Sequence, residues 1–343
     1  MRKTVIDTSI PRVQSAEFSC PLGVYPTDAD AFKPLPGYHS AFEASDGDEE
    51  HDQWERWPDR YMFDVVVSHA RLDALLRCLL ALLPGRCYPI LDVLGRDIHR
   101  EIDPYIAYDA VGIERFIDGL RSRRQWLLED GLVGFGAMSL DPFVYIYVDE
   151  HKILTLRVEP SLKDRAERIL AAFDLPVLPE PQGIDAFEHE HRTVLAPAAE
   201  DAAPAAPEPA STAADAVGVA FAAQEDIVEE LIERWRLTLN IDAEGNVDDQ
   251  GRELGPTPWR CVVALRNELD DEVCRAEVYL VAPSLAEAER IAIEALDRDP
   301  EADDACVLFA DRLSPEDFAA AVGPKADSAI GVPGPYAVRA LKR

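Results

Sequence analysis

Asp97, His99, Glu101 and Asp103 crowd into the stretch DVLGRDIHREID. An imidazole beside carboxylates can hold a divalent metal or exchange protons with a substrate. On a helix, His99 and Asp103 would share one face and Asp97 and Glu101 another, with Arg96 and Arg100 interleaved. The stretch follows a strand end, where the sites of α/β proteins gather. A salt-bridged surface turn is the competing reading. A second set is Glu188-His189-Glu190-His191. In an extended chain its two histidines face the same side, as a bidentate metal pair does. No third histidine lies nearby in sequence, so the segment reads as a mobile polar stretch.

Other patterns have the right residue types in the wrong context. Asp141 with Glu150 and Lys152 superficially resembles the D…ExK arrangement of restriction-type nucleases, where acids hold Mg²⁺ and a lysine polarises a water. Here the Glu-x-Lys pair falls in a hairpin turn rather than on a strand. Asp242 to Glu253 resembles an EF-hand loop. Val247 stands where that loop needs glycine, and Gly255-Pro256 leaves no exiting helix. Gly134-Phe135-Gly136 is a bare GxG, and no phosphate-loop or nucleophile-elbow motif is present. Arg115, Arg121, Arg123 and Arg124 lie on the polar side of one helical segment. Such a face can hold an anion or an acidic partner, or simply pair with the chain's own carboxylates. Trp54 and Trp57 in WERWP either dock an N-terminal arm or contact a partner.

These residues depend on the elements that carry them. Residues 1–60 are rich in proline and acid and read as an irregular acidic N-terminal arm. The first domain, 61–192, opens with a β-branched run, MFDVVV, a leucine-spaced helix ending at Pro84-Gly85, and a second strand, YPILDVL. The two strands could be parallel. A single helix over 110–129 follows, then three strands; the last two, FVYIYV and ILTLRV, form an antiparallel hairpin. A helix over 161–173 ends this mixed α/β sheet domain. Fifteen of the 21 residues from Ala196 to Ala216 are alanine or proline, which places an Ala/Pro-rich linker at 193–220. Beyond it, 221–343 reads as a helix plus a smaller ferredoxin-like α+β sandwich in the order ββαβα(β), its helices opened by Ser284 and Ser314. The fold class is therefore α+β, in two modules.

The 343 residues carry a net charge of −31. That charge repels phosphates and makes nucleic acid a poor partner; a basic protein is the natural one. The six cysteines show no C-x-x-C spacing, and Cys78, Cys261 and Cys306 read as small buried hydrophobes. No secretory h-region and no membrane-length apolar run appear, so the chain reads as cytoplasmic. No cofactor is identified. The expected function is a non-enzymatic acidic interaction or regulatory protein of the bacterial cytoplasm. The alternatives are a metal-dependent hydrolase in the first domain, using Asp97, His99, Glu101 and Asp103, and a small-molecule sensor in the C-terminal module.

Overall fold

The computed structural model of the chain describes residues 4–45, 57–196, 223–248, 250–266, 273–298, 305–324, 326–329 and 331–341. Trp54, the acidic loop after Ser45 and all but the first residues of the 193–220 linker lie outside them. The chain forms two compact units. One comprises Met1–Val93 and Pro104–Leu239, the other Leu94–Asp103 and Asn240–Arg343.

The first unit contains β1 (Val24–Pro26), β2 (Gly37–Glu43), β3 (Arg60–Val66), α1 (His69–Leu79), β4 (Arg86–Leu94) and β5 (Ile102–Ile106). It continues through α2 (Ile113–Ser122), α3 (Arg124–Glu129), β6 (Val133–Leu140), β7 (Phe143–Val148), β8 (Leu154–Val158), α4 (Lys163–Ala172), β9 (His189–His191), α5 (Gln224–Trp235) and β10 (Thr238–Leu239). A nine-stranded sheet has the main order β10-β5-β4-β6-β7-β8-β3-β2. Period-two alternation gives it one apolar face. Phe63, Phe135, Val144, Ile146, Leu154 and Leu156 on that face are all at most 1% exposed. Leu72, Leu75 and Leu79 of α1 and Ala166 and Leu170 of α4 are likewise fully buried. β3 and β4 do run in the same direction, but three antiparallel strands separate them.

Several boundaries differ from the sequence reading. The arm is not irregular. β2 pairs antiparallel with β3 from Gly37↔Val66 to Glu43↔Arg60, and Phe42 meets Tyr61 edge-on at 5.3 Å. The helix expected over 110–129 breaks at Arg123, whose φ of −119° and ψ of 16° leave the helical region. The break turns Arg123 inward, and its guanidinium pairs with Glu230 of α5 and with Thr4. α5, expected with the C-terminal module, packs on the first unit. Trp235 is fully buried against Phe116, 5.1 Å between rings, at a place where a Cβ on Gly119 would clash with the indole. The sequence hid this, because a helix that follows an Ala/Pro-rich stretch carries no local mark of which unit it joins.

The second unit contains β11 (Thr257–Arg266), β12 (Val273–Ala282), α6 (Leu285–Glu294), β13 (Ala305–Arg312), α7 (Pro315–Val322), α8 (Ala326–Ala329) and β14 (Gly334–Leu341). Ser284 and Ser314 cap α6 and α7 by accepting from Glu287 N and Asp317 N. The element order is the expected one, but the unit is not ferredoxin-like. Its strand order is β13-β11-β12-β14 with every neighbour antiparallel, so the central pair is the β11–β12 hairpin rather than two parallel strands. Helices also lie on both faces. Cys261 faces Ala288 of α6 on one side, while Tyr279 and Val281 pack with Phe318 of α7 on the other. Val278, Leu280, Ala288 and Ala292 are all fully buried where α6 meets β12. No cysteine forms a disulfide among the described residues. Cys261 is buried as expected, but Cys78 and Cys306 are exposed; Cys78 lies on α1 opposite the leucine stripe. No helix among the described residues is long and apolar enough to cross a membrane.

Candidate metal centre

The nominated carboxylate cluster is an internal brace of the second unit. Asp97 is buried; its carboxylate accepts from the backbone N of Arg312 at 2.9 Å, from Arg312 Nε at 2.9 Å and from His99 N at 2.8 Å. Arg312 Nη1 continues to Val247 O at 2.6 Å. Asp103 is held by Arg100 at 2.5 Å, and Arg100 also donates to Ala310 O at 3.0 Å. Glu101 is exposed. The oxygens of Asp97 and Asp103 are thus committed to arginines and backbone, and the four residues do not converge on a metal-holding point. The arginine face disperses in the same way. Arg115 donates to the carbonyls of Glu233 and Arg234, Arg124 grips Asp73 through two bonds of 2.6 and 2.7 Å, and Arg123 is buried as described. Arg121 comes only within 4.0 Å of Asp118, with its side chain 77% exposed. Trp57 packs on Phe143 and Tyr145 at 5.4 and 5.5 Å and lies under Arg60 and Arg157, as an arm dock does. Asp141 and Glu150 sit beyond opposite ends of β7 and cannot share an ion.

Three histidines do converge. The EHEH segment is strand β9, paired antiparallel with β1 in the register His189↔Pro26 and His191↔Val24. Alternation puts His189 and His191 on one side, while Glu190 turns to the Tyr25 hydroxyl on the other. The third imidazole, distant in sequence, is His151 at the β7–β8 turn. Ile153 N donates to Asp149 Oδ1 at 2.8 Å, and Lys152 takes a left-handed φ of +65° to close that turn. Lys152 then inserts its ammonium beneath the sheet, donating to Val133 O at 2.5 Å. Burial lowers its pKa to about 8 against the pull of Asp130 and Asp149.

The Nε2 atoms of His151 and His189 lie 3.0 Å apart and those of His189 and His191 3.1 Å apart. The opposite ring nitrogens decide what these contacts are. His189 Nδ1 is 2.7 Å from Phe187 O, and His191 Nδ1 is 2.6 Å from Gly131 O. A carbonyl only accepts, so both Nδ1 atoms carry the proton, and a neutral ring then has a bare lone pair at Nε2. His151 Nδ1 faces Asp149 and Glu150 at 3.5 and 3.4 Å. Burial opposes protonation of His151, and the nearby carboxylates more than offset it, so its pKa is raised. For His191 burial dominates and the pKa is lowered. A proton on His151 would bridge it to His189 but leave the lone pairs of His189 and His191 facing each other. A divalent cation satisfies all three at once. Metal–nitrogen bonds of ~2.0–2.1 Å in a tetrahedron place their nitrogens about 3.3 Å apart, close to the 3.0 and 3.1 Å that separate His189 from His151 and His191. The anchored Nδ1–H groups are the outer partners that orient metal-binding imidazoles.

The surrounding backbone is built tightly enough to fix these rings. Gly23 and Gly131 pass so close that a Cβ on either would fall 2.0 Å from the other's backbone. Asp130, fully buried, accepts from Leu132 N, Thr193 Oγ1 and Val194 N, each at 2.9 Å, and so ties the chain after β9 to the α3–β6 connection. The sequence reading found two of the three histidines and set them aside as mobile for want of a third. The signal that could have rescued them was His151 in the strongest hairpin of the chain, because a hairpin turn is a fixed point to which a distant strand can return. No family model, no curated protein and no solved structure matches this chain.

Proposed function

We propose that the protein binds one divalent transition-metal ion of the zinc class through the Nε2 atoms of His151, His189 and His191, and that the first unit works as a metal-dependent hydrolase. The observation that carries the reading is the pair of backbone carbonyls on His189 and His191 Nδ1, which leaves bare Nε2 lone pairs about 3 Å apart. Imidazole nitrogens suit zinc, copper and nickel over calcium or magnesium. Three protein ligands leave a tetrahedral ion one position for water, the arrangement of catalytic rather than closed structural zinc, and the ion's chemistry there is to acidify that water. This moves the metal-hydrolase reading from Asp97, His99, Glu101 and Asp103 to the histidines.

The test is a cobalt titration of chelator-stripped full-length protein. One equivalent should give visible bands of four-coordinate intensity, displaced by zinc, and His189→Gln and His191→Gln should each weaken binding at least about 100-fold. Unchanged affinity in both variants would end the proposal. Hydrolysis of an activated aryl ester by the zinc form, lost in the same variants, tests the catalytic half. The net charge of −31 supports a second reading, in which the metal is structural and the protein captures a basic protein partner. That reading requires capture that weakens steeply with salt.

A further inference from the structure

α2 is apolar on two sides. Phe116 and Gly119 face Trp235 of α5. Ile113, Ile117 and Leu120, spaced four and three apart along the other side, are only half-buried. Opposite them stand Leu76 of α1 and Leu80 of the following 3₁₀ turn, with Phe135 of β6 in the floor. Between them lies a half-open cavity of about 590 Å³ within the first unit, well away in sequence from the three histidines. That volume falls in the ~300–1,000 Å³ range of small-molecule pockets, and interiors rarely leave such a space unfilled.

Its rim is cationic, in a chain of net charge −31. Arg77, Arg121 and Arg124 line the mouth with Asp73 as the one carboxylate among the lining residues. Arg77 and Arg124 both spend their charge on Asp73, at 2.7 and 2.6 Å. Arg121 reaches no closer than 4.0 Å to Asp118 and is otherwise turned to solvent. An apolar slot with an under-neutralised guanidinium at its mouth matches a ligand with a hydrocarbon tail and an anionic head.

We propose that this cavity binds a fatty-acid-class monocarboxylate, its alkyl chain between α1 and α2 and its carboxylate at Arg121. The proposal is independent of the metal centre. The probe is dodecanoate, titrated below its critical micelle concentration into full-length protein and read by calorimetry and by displacement of a fluorescent fatty-acid analogue. We expect 1:1 binding, and an affinity that rises about tenfold for each two carbons from octanoate to dodecanoate, since each buried methylene contributes about threefold to fourfold. Arg121→Gln should weaken dodecanoate about tenfold and leave dodecanol unchanged. Ile117→Trp, which fills the slot, should abolish both. Arg121 is exposed, so its variant reports even if the tryptophan variant misfolds. No saturable binding, dodecylamine binding as tightly as dodecanoate, or indifference to Arg121→Gln would each overturn the proposal. So would an Ile117-dependent dimer in sedimentation, which would assign the slot to a second copy of the chain.

Discussion

The carbonyls of Phe187 and Gly131 set the chemistry of two imidazoles that the sequence pairs by spacing but whose tautomers it does not fix. Nitrogen-15 spectra of metal-free protein near pH 8 should therefore show neutral His189 and His191 as Nδ1–H tautomers. Nε2–H forms would remove the basis of the metal centre. Cysteine accessibility follows equally local rules. Burial raises the Cys20 and Cys87 thiols to about 12 and pushes Cys261 higher still, while Cys78 and Cys306 are exposed. A brief maleimide pulse on native protein should label Cys78 and Cys306 and spare Cys20, Cys87 and Cys261 until denaturant is added. Asp103 gives a pH signature. Burial raises its carboxyl to about 6, over the opposing pull of Arg100. The folded state then holds a proton that the unfolded chain releases near pH 4, so this contribution is fully present below that value and is lost as pH rises through 6. Relative to wild type, Asp103→Asn should gain on the order of 2 kcal/mol between pH 4 and pH 7 in urea melts. A flat difference would mean that the Arg100 pairing cancels the effect of burial, and a difference of opposite sign that it outweighs it.

At the scale of elements, the Gly23–Gly131 crossing is what carries β9 to the hairpin turn. A methyl at Gly131 meets Gly23 O at 2.0 Å, so the two segments must part. Gly131→Ala should cost about 3 kcal/mol by overpacking. It should also weaken metal binding about 10- to 100-fold, because Gly131 O orients His191. Loss of stability with intact metal affinity would separate the crossing from the centre. α5 offers a parallel case. Its indole fills the space that Gly119 leaves, and Trp235→Ala should destabilise the first unit by about 3–5 kcal/mol.

At the scale of the molecule, neither unit is a continuous piece of chain. Residues Leu94–Asp103 belong to the second unit although their flanks belong to the first. Their contribution is Asp97, whose loss would leave the Arg312 guanidinium buried with its charge unpaired. Asp97→Ala should cost about 3–5 kcal/mol. A fragment of residues 240–343 should melt well below the full chain in far-UV dichroism, and a peptide of residues 92–105 should restore part of the loss. A fragment as stable as its counterpart in the whole chain would show that the insertion is dispensable.

Periodicity and caps placed most of the strands and helices, because burial of one face is written into residue spacing. FVYIYV and ILTLRV became β7 and β8, and Ser284 and Ser314 became caps, since those effects act over a few residues. The weakly patterned GYHSAFE was not legible as an edge strand, because its partner rather than its own sequence stabilises it. The break at Arg123 accompanies an ion pair with a helix far along the chain, a partner that no local pattern records. The candidate site divides the same way. Alternation put His189 and His191 on one side of an extended segment from sequence alone. Bringing His151 to them required a strand pairing, a glycine crossing and a buried lysine, none of which acts between neighbours in the chain, and so only the tertiary structure assembled the three nitrogens.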